Sequence, residues 1–339
     1  MKAAVSLLLS LSWLLPQLAA AQAPVSPDAP DEIVVTGRQP GPPLWRVVNG
    51  DHVLWIFPQL APVPKDMVWD SDKVAAVIAQ SQEALDMPDI GADISPRLYL
   101  NPINLFRGAR LAKRLSSDAS GRTLAQTLPP DVHARFQALG AKYFPKDAGE
   151  LEALRPAFAA GRMVGIVESK EGLGGDAGIM KTIDKLIRRS DAKRTEIKVD
   201  VDLKGGFGDL AERAEAMLAS LDPALELQCF ENQLARMEND IDEMRQRANT
   251  WARGYIDQFR GVVLTGSDED TCLALIVASS ERDTIEATRA KLENLWLDNA
   301  ERALRANRGT FAILPIAELL RPDGPIAKLR AKNYDVREP

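Results

Sequence analysis

The chain has 339 residues with 45% hydrophobic content, enough to bury a full core, and nothing in its composition suggests disorder beyond the N-terminus. Its formal charge of −6 gives none of the basic field that nucleic-acid binding requires, which excludes nucleic acid as a partner.

Residues 1–21 carry Lys2, an apolar run over 3–15, Pro16 and the small triplet Ala19-Ala20-Ala21, the layout of a cleavable signal peptide. A membrane anchor needs about 20 apolar residues, and Pro16, Gln17 and the alanines break the run too early. No transmembrane span is expected in the mature form, and the reading is an exported bacterial protein, periplasmic or secreted. Residues 22–43 are rich in Pro, Asp and Gly and read as a flexible leader. Within it, the run 31–37 (DEIVVTG) is similar to the short box with which outer-membrane receptors dock the TonB protein. Its plainer reading is an extended, β-prone leader.

Residues 44–57 predict a β-hairpin, because Asn49-Gly50 between LWRVV and HVLWIF supplies the two positive φ angles of a type I′ turn. The second strand, 53–57, is apolar at nearly every position, as in a strand buried on both faces. Pro58 should end its ladder, having no N–H to donate. Residues 70–85 predict one helix with acid in its first turn, 94–100 a strand, and 102–115 a helix with Arg107, Arg110 and Arg114 on one stripe. That stripe suits a solvated face, or a grip on an anionic ligand.

Pro129-Pro130-Asp131 starts a helix that runs through about Tyr143, with His133 near its start on what reads as a surface, and then helices follow over 149–173 and 179–189. Between them Gly172-Leu173-Gly174-Gly175-Asp176-Ala177 fits the loose G-x-G-x-x-A form of a dinucleotide fingerprint. A Rossmann site needs a full βαβ unit and an acid about 20 residues on, and helical periodicity leads into this stretch. No cofactor is expected. Residues 196–203 alternate as a half-buried strand. Helices are predicted over 209–221 and 223–254, the second with Leu227, Phe230, Leu234, Met237, Ile241 and Met244 as a packing face. Its acids Glu238, Asp240, Asp242 and Glu243 suit water better than a metal ion. Helices over 268–279 and 281–305 complete the layer, and strand 311–314, helix 325–332 and strand 334–337 end the chain.

The runs 43–64 (PLWRVVNGDHVLWIFPQLAPVP) and 309–338 (GTFAILPIAELLRPDGPIAKLRAKNYDVRE) resemble the TraB/GumN family, related to the TIKI and erythromycin-esterase/ChaN-like proteins. The hallmark of that family is a glycine–x–x–histidine motif closing the first hairpin and a second near the C-terminus. On this register the motif glycines fall at Pro58 and Pro315 and the histidines at Ala61 and Glu318, with Pro322-Asp323-Gly324 in place. The resemblance implies an α/β fold: a central mixed sheet of N- and C-terminal strands in a single domain over 44–339, with a helical insertion at roughly 101–305. It also implies that strands 53–57 and 311–314 lie side by side and bring Ala61 and Glu318 into one cleft.

Family members are thought to place both histidines near a metal and act as hydrolases, chemistry that needs several placed ligands and an open position for water. Here both motif histidines are replaced, and the two histidines of the chain, His52 and His133, fall on neither motif. No metal is expected. The reading is a non-catalytic exported module that binds a protein or a small molecule. One alternative is a hydrolase with a carboxylate site rebuilt around Glu318 and an acid such as Asp323. The other is a structural partner acting through its helical lobe and leader. Cys229 and Cys272 are expected to form a disulfide, since an even pair in an exported chain is readily oxidised.

Overall fold

The computed structural model describes residues 39–92, 102–118, 120–201, 206–255, 272, 275 and 278–339. The expected signal peptide, the 31–37 run and the expected strand 94–100 lie outside these residues. So does most of the expected helix 268–279, of which Cys272 and Leu275 are described and helical.

Ten strands are described: β1 (Trp45–Asn49), β2 (His52–Gln59), β3 (Val63–Pro64), β4 (Glu83–Leu85), β5 (Asp89–Ala92), β6 (Leu173–Gly174), β7 (Lys193–Thr195), β8 (Lys198–Val201), β9 (Gly309–Pro315) and β10 (Asp335–Arg337). Six form one mixed sheet in the order β10-β1-β2-β9-β4-β7, with β3-β6 and β5-β8 as separate pairs. The α/β expectation holds, and the first and last strands of the chain do meet. β2 and β9 run parallel through seven paired residues, from Val53 opposite Gly309 to Gln59 opposite Pro315. The sheet also recruits β4 and β7, both parallel to β9.

Several local expectations are corrected. The hairpin forms, but its turn is Gly50-Asp51, because Asn49 stays in β1 opposite His52 with its amide donating to the Leu304 carbonyl (3.3 Å). Of these residues only Gly50 has positive φ (64°), which suits a type II′ turn rather than I′. Pro58 does not end β2. It lies beyond the last β1 pair, Trp45 with Ile56, and so faces one partner strand only, where a missing N–H is tolerated. Gln39, inside the expected leader, already bonds to Val68 and Asp70.

The predicted helix 70–85 stops at Gln80, and Glu83–Leu85 becomes β4. The predicted helix 149–173 is two helices, Ala148–Glu152 and Pro156–Lys170, since Pro156 opens a new first turn and biases Arg155 to extended backbone. Residues 163–167, just before the glycine run, lie inside the second helix. The predicted helix 223–254 breaks at Asp240 into Pro223–Asn239 and Ile241–Arg253. Asp222 caps the first through Ala224 N (2.8 Å), and Gly254, at φ 80°, caps the second in left-handed geometry. Of the predicted strand 196–203, Lys198–Val201 forms β8, and β7 (Lys193–Thr195) precedes it.

The sheet carries the main core, into which the helices Asp72–Gln80, Ala177–Arg189 and Arg282–Ala306 pack apolar residues. Phe57 is central there, with Trp69, Trp251 and Phe311 rings at 6.0, 6.0 and 6.4 Å. A second core lies among the helices Pro130–Tyr143, Pro156–Lys170, Pro223–Asn239 and Ile241–Arg253, around Phe136, Phe144 and Phe230. One ion pair beside it is mostly buried: Arg155 clamps Glu226 at 2.9 and 2.8 Å. Among the described residues no helix is long and apolar enough to cross a membrane.

Candidate functional site

Parallel sheets bind ligands in the crevice outside the carboxyl ends of their strands, and Pro58 and Pro315 lie at that end of β2 and β9. Pro58 and Pro315 sit one residue out of register at the ends of β2 and β9. Ala61 and Glu318 follow each strand by two and three residues. Ala61 is exposed and precedes Pro62 through a cis peptide bond.

The end of β2 is held from outside the sheet. Trp251, fully buried, donates from Nε1 to the Pro58 carbonyl (2.7 Å), and Gln59 donates to Asp176 Oδ2 (2.9 Å). Lys65 then donates to Ser169 Oγ (2.9 Å) and its carbonyl (3.2 Å). Replacing Trp251 by Phe keeps a ring but strips a buried carbonyl of its donor, a penalty of 1–3 kcal/mol in general. Urea unfolding of Trp251→Phe should therefore show a loss of about 2 kcal/mol with an unchanged m-value.

Beyond β9, Pro315 opens the short helix Ile316–Leu320, on which Glu318 lies. Its carboxylate is bound by two guanidinium groups, Arg289 at 3.2 Å and Arg321 at 3.0 Å. Arg321 also pairs with Glu293 (2.5 Å) and approaches Asp323 (3.6 Å). Glu293 is mostly buried and is reached by Lys328 as well. Burial works against its charge, but the two cations hold its carboxyl below the usual range. Asp323 is largely exposed.

Thus Glu318 and Asp323 share Arg321 as a common partner. His52 sits at the opposite, amino end of β2, and His133 bonds Glu152 (3.1 Å) in the helical lobe. Cys229 and Cys272 lie at disulfide distance, Cα atoms 4.7 Å apart, beside Leu218, Leu221 and Leu275. Among the described residues no group of three or more His, Cys, Asp or Glu stands close enough to hold a metal ion.

Sequence reasoning missed Arg289, Glu293 and Arg321. Arg289 and Glu293 lie four apart on the helix Arg282–Ala306, a spacing that puts both on one face, but nothing local says that this face meets residues 318–328. The comparisons bear on the same strands. No curated protein matches the chain, and no solved structure does. The sequence model of the TraB/PrgY/gumN family matches residues 43–338, a span that runs from the residues before β1 to those after β10. The chain belongs to the TraB/PrgY/gumN family.

Proposed function

We propose that this protein is an exported, non-catalytic member of its family, a binding or assembly module in which Ala61 and Glu318 face one cleft. The observation that carries the reading is the double arginine pairing of Glu318. Charge-assisted bonds from two guanidinium groups, one on each oxygen, compete with a metal ion for the carboxylate. A carboxylate so held is a poor ligand. Ala61 offers no donor atom at the other motif position.

Export rests on the 1–21 run and gains support from the Cys229–Cys272 pair, since disulfides persist in oxidising compartments. Isolated carboxylates hold hard or borderline cations weakly without further ligands. The purified protein, dialysed against zinc, manganese and calcium and then washed, should therefore retain less than one equivalent of each by elemental analysis. Stoichiometric retention abolished by Glu318→Ala would replace this reading with a hydrolase rebuilt on carboxylates.

A further inference from the structure

We propose that a cavity at the carboxyl ends of β4 and β7 is a binding site for an organic cation, a ligand with an ammonium head on an apolar body. The lining includes Ile313 of β9 but none of Pro58, Ala61, Pro315, Glu318 and Asp323, and the site holds whether or not the chain hydrolyses anything.

Position is the first argument. Asp86 and Met87 directly follow β4, and Glu196 and Ile197 follow β7, so the cavity opens where parallel strands end, the usual ligand crevice. Its volume is about 630 Å³, within the roughly 300–1,000 Å³ of small-molecule pockets. The floor is aliphatic: Ile183, Ile187, Ile197 and Ile313 are all buried. Met87 and Met180 form half-buried walls, and methionine is the side chain that best adapts to irregular apolar ligands.

The charges at the rim decide what head group fits. Arg194 is spent on two acids, Asp86 (2.7 Å) and Asp184 (2.7 Å), and Lys198 on Asp200 (2.9 Å). Asp89, Glu196 and Lys181 are exposed and make no close ion pair among the described residues, though Lys198, opposite Asp89 across β5 and β8, attracts both Asp89 and Glu196 as well as Asp200. Asp89 N donates to the Ile197 carbonyl (2.9 Å), which joins the two segments that carry these acids. The lining therefore sets four carboxylates, Asp86, Asp89, Asp184 and Glu196, against three cations, Lys181, Arg194 and Lys198, above an apolar floor.

Hexylammonium, hexanol and hexanoate share one tail and differ in head charge. Each is titrated into protein labelled at the methionine methyl groups, with Met87 and Met180 assigned by their leucine substitutions. Hexylammonium should shift both methyl signals and bind about fivefold more tightly than hexanol, the size expected of two exposed charge pairs. Hexanoate should bind more weakly than either. In Asp89→Asn/Glu196→Gln, whose replaced side chains are exposed and whose fold is checked by circular dichroism, the preference for ammonium over alcohol should vanish. Unmoved Met87 and Met180 signals, or hexanoate binding as tightly as hexylammonium, would overturn the site. A preference that survives the double substitution would trace to the net charge of the protein and overturn it equally.

Discussion

Replacing Glu83 with Ala should cost about 3–5 kcal/mol of unfolding free energy, the range for breaking one side of a buried charge pair. The side chain is 4% exposed and every strong contact it makes crosses between elements. Arg302 clamps it at 2.5 and 3.0 Å from the helix Arg282–Ala306. Thr195 of β7 donates at 2.5 Å and Asn307, just before β9, at 2.8 Å. One carboxylate thus fastens β4 to the strand beyond it, the helix beside it and the approach to β9. Burial pushes its pKa up, but the bonds from Arg302, Thr195 and Asn307 outweigh it and hold the value at about 2 against 4.5.

The sign of the pH dependence follows. Because the folded state binds this proton less readily than the unfolded chain, the stabilisation is present above pH 4.5 and is lost as pH falls toward 2. A shift of this size is worth about 3 kcal/mol. Chemical denaturation between pH 7 and pH 2.5 should show Glu83→Gln already weakened at pH 7, with a shallower acid decline than the parent. Equal slopes would mean that Glu83 is not held as described.

What could be read in the chain and what could not divide along the range of the interactions. Asn49-Gly50 announced a hairpin because a turn is specified by adjacent residues. Yet its type was decided by a bond from Asn49 to Leu304, 255 residues away. The pairing of β2 with β9 was legible through the resemblance, since the runs 43–64 and 309–338 carry it. β4 was not. Leu85 extends the apolar spacing of the helix before it, and it is pairing with β9 on one side and β7 on the other that makes these residues a strand. The break at Asp240 was hidden for the converse reason. Leu234, Met237, Ile241 and Met244 keep helical spacing across it and enter the same core, so periodicity runs on where the backbone does not. The pairing of Glu318 with Arg289 was hidden because the arginine lies 29 residues earlier on another helix.

Removing the disulfide should be comparably costly and should act on a different part of the molecule. Cys229 lies on the helix Pro223–Asn239, and Cys272 is 43 residues further on. Closing a loop of that length restricts the unfolded chain by about 4 kcal/mol in the chain-entropy model. The stretch it closes contains Ile241–Arg253, and so Trp251, whose indole holds the end of β2. Paired substitution Cys229→Ala/Cys272→Ala should therefore lower stability by about 4 kcal/mol, less whatever compensation the small cluster of Leu218, Leu221 and Leu275 provides. Comparing the parent with and without reductant in urea separates the bond from the packing of the two side chains. If the bond carries the effect, the reduced parent matches the double alanine variant to within the cost of two buried sulfurs. Thiol titration of the exported protein under denaturing, non-reducing conditions should find no free thiol. Two free thiols per chain would remove the crosslink, and with it the support it lends to an oxidising destination.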